Sequence, residues 1–149
     1  MIDIKTYLFH DLEDSELKEL TALYNRIRKE TSTWKDKGAV SVTEFSDLIE
    51  VETIYIMYDN DDMVGFLTYY VPDNFIHLFF LEATRQGSGL GSLLLEKVLV
   101  DFEGETIQLK CLVHNKKAIA FYQHKQFVIT ETQVLEDDKG YHLMTRYPS

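Results

Sequence analysis

The sequence predicts a mixed α/β fold built on a largely antiparallel sheet. Three observations carry this reading. Short β-branched and aromatic runs separated by tight turn clusters fill the middle of the chain, apolar residues recur at helical spacing before and after them, and a glycine-rich stretch joins one such run to a helix.

The elements follow in order. Ile2, Ile4, Tyr7 and Phe9 alternate with polar residues as in a first strand, and residues 11–15 supply turn and capping chemistry. From Ser15 onward Leu17, Leu20, Leu23, Tyr24 and Ile27 form one apolar helix face, with Lys18, Glu19, Arg26 and Arg28 on the other. Residues 31–40 read as a polar excursion containing Trp34 and Gly38, after which Ser41 or Thr43 caps a short helix carrying Phe45, Leu48 and Ile49. Residues 53–58 and 63–71 form a hairpin about the turn at 59–62, and Pro72, Asp73 and Asn74 turn the chain into 75–81, which reads as a buried strand. Leu90, Leu93, Leu94, Val98 and Phe102 mark the next helix, ending near Gly104, and residues 106–113 form a strand. Asn115 caps a helix to about residue 125, and strands at 127–135 and 141–146 flank a turn at 137–140.

At 149 residues, with 45% hydrophobic and 27% charged residues, the chain fits a single domain over 1–149 that folds unaided. Its net charge of −10 opposes nucleic acid, and no Lys/Arg cluster reverses that field locally. An anionic ligand therefore needs backbone amides and helix N-termini to hold it. The same charge suits a cationic acceptor, although solubility alone explains it more simply. One cysteine, Cys111, and an N-terminus without a signal-peptide pattern point to a reducing cytoplasm. The apolar runs fall short of the roughly 20 residues of a membrane span, so no membrane association is expected.

The chemistry concentrates in Gln86, Gly87, Ser88, Gly89, Leu90, Gly91 and Ser92, which follow a strand and open a helix. Glycines permit close backbone approach, and the helix N-terminus adds free amides and positive dipole character, so the stretch can cradle a pyrophosphate. A turn that merely eases strand into helix uses the same residues. A dinucleotide fingerprint would need a further glycine where Ser92 stands and an acidic residue on the next strand, which 109–113 lacks. A nucleoside-triphosphatase loop would need a lysine after Gly91, where Ser92 stands.

The stretch resembles the acetyl-CoA loop of the GNAT acetyltransferase superfamily, Gln/Arg-x-x-Gly-x-Gly/Ala, through Gln86, Gly89 and Gly91. Asn115, Ala118, Phe121 and Tyr122 are similar to its Asn-x-x-Ala-x-x-Phe-Tyr helix, followed by Gln126 and Phe127 where the family has Gly-Phe. The resemblance spans about residues 75–128. It implies a splayed sheet flanked by helices on both faces, with the pantetheine arm of acetyl-CoA between the 75–81 and 106–113 strands and paired to the backbone near Leu81. Here Leu81, Glu82 and Ala83 replace the family's Val-x-Pro. The implied activity is N-acetyl transfer to a primary amine of a small molecule or protein, direct and within a ternary complex, with no metal; a homodimer is compatible with it.

The resemblance also assigns roles. Tyr122 falls on the tyrosine that protonates departing CoA thiolate, a task open to a phenol of pKa about 10 against a thiol of about 8.5. Backbone amides of Gly87 to Gly91 and the Ser92 hydroxyl are the expected phosphate ligands, with Arg85 as a further charge partner if it turns inward rather than to solvent, and Asn115 contacts pantetheine, caps its helix, or does both. For the base that deprotonates the amine, His77 and Glu82 are the candidates, and ordered water is a third; a lone strand histidine is more often a hydrogen-bonded structural or surface residue. Cys111 reads as a buried strand residue. Trp34, Phe45, Tyr69 and Tyr70 are candidates for the acceptor pocket or for ordinary packing. The competing class is a non-catalytic acyl-CoA-binding sensor, which would keep the loop and lack a base.

Overall fold

The computed structural model describes residues 1–30, 38–136 and 139–149; Trp34 and the 137–138 part of the last turn lie outside them. In chain order the elements are β1 (Ile2–Leu8), α1 (Asp14–Glu30), α2 (Val42–Ile49), β2 (Thr53–Asp59), β3 (Asp62–Tyr70), β4 (Phe75–Leu81), α3 (Leu90–Asp101), β5 (Ile107–Leu112), α4 (Lys116–His124), β6 (Val128–Gln133) and β7 (Tyr141–Arg146). Among the described residues the strands make one seven-stranded sheet in the order β1-β2-β3-β4-β5-β7-β6, antiparallel throughout except between β4 and β5. The expected strand boundaries hold to within one or two residues, the expected 127–135 strand being trimmed to Val128–Gln133.

Each face of the sheet carries its own core, because strand residues alternate between faces. On one side Leu20, Leu23, Tyr24 and Ile27 of α1 and Phe45 and Ile49 of α2 bury against Ile54, Ile56 and Phe66. On the other, Leu94, Leu95 and Val98 of α3 and Ile119 of α4 bury against Tyr55, Met57, Leu67, Ile107, Leu109 and Met144. Helices therefore cover both faces, as the family resemblance implies. Phe45 and Tyr69, offered by the sequence as pocket walls, are fully buried packing: Phe45 lies 4.8 Å from Tyr24, and Tyr69 stacks on Phe102 at 3.9 Å.

Local chemistry sets the ends. Ser41 and Glu44 form a reciprocal capping box at α2, each side chain bonding the other residue's N–H at 3.0 Å. Asn60 and Asn74 take the left-handed conformation at φ 58° and 50° to close the β2–β3 and β3–β4 turns, a role asparagine tolerates better than most residues.

Candidate active site

The parallel pair that holds the two halves of the sheet together is short. Only Phe75 with Gln108 and Ile76 with Leu109 are in register, and beyond them β4 and β5 diverge. The cause is visible in β4. Ile76 pairs with Tyr69 and Leu78 with Thr68, leaving His77 as the extra residue of a β-bulge, which bends its strand away from the neighbour. Leu78 N–H donates to Thr68 Oγ1 at 3.1 Å and Glu82 N–H to the Val64 carbonyl at 2.9 Å, so these groups face β3. By strand alternation Phe79 and Leu81 turn their backbone N–H groups into the cleft. β4 is thus half-buried rather than the fully buried strand its apolar run suggested.

The glycine loop lies at the open end of this cleft. Gly87 and Gly89 have φ of 80° and 86°, and a Cβ on either would project into open space. Gly89 is the N-cap of α3 and supplies no side-chain cap, so the first amides of that helix are left to whatever approaches the loop. Gly91 packs the first turn onto the cleft, its Cβ position 3.9 Å from Leu81 Cδ2 and Phe79 Cζ. The remaining loop residues serve its shape. Gln86 donates its side-chain amide to the Leu81 carbonyl at 3.1 Å, tying the loop to the strand end, and the Ser88 hydroxyl donates to the Arg85 carbonyl. Lys125, 2.9 Å from Glu96, holds that carboxyl below its usual range, with a smaller contribution from a Ser92 hydrogen bond. Ser92 is accordingly engaged within α3, and Leu90 is the first helical residue.

Across the cleft, α4 begins at Asn115, whose side chain accepts from Ala118 N–H at 3.1 Å; the capping reading of this residue is realised. About two turns later Tyr122 sits among aromatic rings, with centroids 5.4 Å from Phe121, 5.8 Å from Phe127 and 6.4 Å from Phe79. Burial raises its phenol pKa above the ordinary value, and the nearby Cys111 thiol adds to the effect, so the group stays protonated at neutral pH. Cys111 is buried, and its thiol is pushed up to about 11 by desolvation, which leaves too little thiolate for nucleophilic work.

The other candidates lie on the α1/α2 side. Glu82 is ion-paired with Arg26 of α1 and lies 3.7 Å from Arg85. Arg85 is turned away from the loop: it binds Asp59 at 2.5 Å and thereby holds that carboxyl below its usual range. The sequence had offered Arg85 to phosphate. His77 is bonded through Nδ1 to both oxygens of Glu52, at 3.0 and 2.9 Å. Glu52 was not a candidate in the sequence, where nothing local separates it from Glu50; its burial and its partner 25 residues away are tertiary facts. The structure therefore brings Leu81, the glycine loop and Tyr122 toward one face and edge of the cleft, and sets His77 and Glu82 on the other face.

Comparison with known proteins agrees with this geometry. The Acetyltransferase (GNAT) family matches residues 11–127. The ribosomal-protein-S18-alanine N-acetyltransferase of Escherichia coli superposes with a TM-score of 0.74 at 20% identity, over 98% of this chain and 93% of that one. Ard1 of Thermoplasma volcanium gives 0.70 at 21% over 99% and 98%, and Arabidopsis thaliana Naa50, in complex with a CoA-Ac-MVNAL bisubstrate analogue, 0.68 at 20% over 96% and 97%. No curated protein sequence matches the chain. With most of its length matched by the family's sequence pattern and its splayed sheet shared with these structures, the chain belongs to the GNAT family of acetyltransferases.

Proposed function

We propose that the protein transfers the acetyl group of acetyl-CoA directly to a primary amine while both are bound. One observation carries this: a helix N-terminus without a side-chain cap, opened by two left-handed glycines, stands at the end of a strand that parts from its parallel neighbour after Ile76. The residues fit such a donor. Amides from Gly87 to Gly91 would receive the pyrophosphate, and the N–H groups of Phe79 and Leu81 would bond the pantetheine arm as a neighbouring strand does. Asn115, already capping α4, borders that path. When bound, acetyl-CoA supplies an electrophilic thioester carbonyl; an N–H at the cleft edge of β4 would stabilise charge on its oxygen.

Tyr122 would supply the proton that the departing thiolate takes, since its phenol is protonated at neutral pH. A bisubstrate analogue joining CoA to a peptide is held by Naa50, a protein of the same fold, and this favours direct transfer over a covalent enzyme intermediate. Cys111, the sole cysteine, is too buried and too weakly acidic for the alternative.

Calorimetric titration with acetyl-CoA tests the reading. Saturable binding is expected for the native chain and its loss for Gly89→Glu, which places a carboxylate and a side chain where the pyrophosphate would lie. Absence of binding to folded native protein would sink the proposal.

A further inference from the structure

Resting on that acetyl-transfer reading, we infer that the acceptor amine enters a cavity on the α2 side of the sheet, where Glu52 holds His77 as the group that takes its proton.

The cavity measures about 410 Å³ and is lined by Glu52, Tyr70, Asp73, Phe75, His77 and Lys110. It is an open depression on the sheet face rather than an enclosed pocket. It sits at the point where the two half-sheets part. The bulge at His77 puts this residue at the end of the paired stretch of β4, and Lys110 stands just past Leu109, the last paired residue of β5. Ile107, Leu109 and Cys111 point into the α3/α4 core, so alternation turns Lys110 to the opposite face. Tyr122 belongs to the α3/α4 side. The proton acceptor and proton donor thus approach one cleft from its two faces.

The pair has the geometry of an oriented base. The Glu52 side chain is only 6% exposed, and a buried carboxylate is tolerated when its oxygens are paired. Both oxygens lie within 3.0 Å of His77 Nδ1, so Nδ1–H donates to the carboxylate and Nε2 is the ring nitrogen left to take a proton. The His77 side chain is 37% exposed and faces the cavity. The groups around it are the Glu52 and Asp73 carboxylates, the Tyr70 hydroxyl and the Lys110 ammonium, which lies over the Tyr141 ring at 4.7 Å.

The protons balance. Nε2 of His77 takes one proton from the ammonium, freeing the nitrogen lone pair. The C–N bond forms, the C–S bond breaks, and the Tyr122 hydroxyl gives its proton to sulfur. The second proton of the nitrogen returns through solvent to Tyr122, and His77 releases its own to water, so one proton appears per turnover. His77 is here a catalytic residue and Glu52 a positioning residue. The arrangement supplies the base that a mere acyl-CoA sensor would lack.

Thiol release from acetyl-CoA is measured against pH with a panel of primary amines (an aliphatic monoamine, an α-amino acid amide, a peptide with a free N-terminus) for the native chain, His77→Gln and Glu52→Gln. Acetyl-CoA affinity is titrated in parallel. His77→Gln is expected to lower kcat by about 10²-fold or more and to abolish the acid-side rise of kcat/KM, with acetyl-CoA affinity unchanged. Glu52→Gln keeps an acceptor for Nδ1–H, so the ring stays aimed and kcat falls less than in His77→Gln. Native turnover and an unaltered pH profile in His77→Gln, with acetyl-CoA still bound, overturn the inference alone. Failure of the native chain to bind acetyl-CoA overturns the reading beneath it.

Discussion

The two helices beside the cleft begin in opposite ways. α4 is closed by Asn115, which satisfies the Ala118 amide, whereas α3 starts at a left-handed glycine and has no side chain to do the same. A helix that serves only packing should satisfy its own first amides; one that leaves them open spends local stability on a ligand. α4 contributes a fixed side chain, Tyr122, and needs a rigid start. α3 contributes backbone, and its start must be accessible.

Three substitutions along α4 sharpen that contrast. Tyr122→Phe removes the proposed proton donor while keeping the ring among Phe79, Phe121 and Phe127. We expect kcat to drop about 10²-fold with acetyl-CoA affinity held. Because burial raises the phenol pKa, any alkaline decline owed to this group in the native enzyme comes above pH ~10, which a pH–rate profile checks. If turnover at saturating acceptor is unchanged, α4 carries no chemistry and the contrast reduces to packing.

Asn115→Ala should cost about 1 kcal/mol and lower Tm by about 2–4 °C in thermal unfolding, as loss of a helix cap does. A much smaller shift would mean that α4 is no better closed than α3. At the other end of α4, Gln126 has φ 73° where the family carries glycine. Left-handed backbone costs a side-chain-bearing residue about 1–2 kcal/mol, and glycine gives back part of that as unfolded-state entropy. Gln126→Gly should therefore raise stability by about 0.5 kcal/mol, roughly 1–2 °C in Tm.

Most of the architecture was legible because its signals are local. Ser41 and Asn115 announce their helices, the glycine stretch lies between a strand and a helix, and periodicity gives the apolar faces. The candidate site was legible only where backbone carries it. Side-chain partners set by tertiary contact were not: Arg26 captures Glu82 from 56 residues away, Asp59 draws Arg85 off the loop, and Glu52 finds His77. The apolar run of β4 concealed the bulge, since a bulged and a regular strand have the same composition.

That bulge also divides the work of a single strand. After it, Leu78 and Phe80 contact the α1/α2 core while Phe79 and Leu81 contact the α3/α4 core, and the cleft itself is met by backbone. Donor grip written in main-chain groups is largely indifferent to side-chain identity. The side facing the acceptor can then drift from one amine to another by ordinary substitution, with no loss of the feature that makes the protein an acetyltransferase.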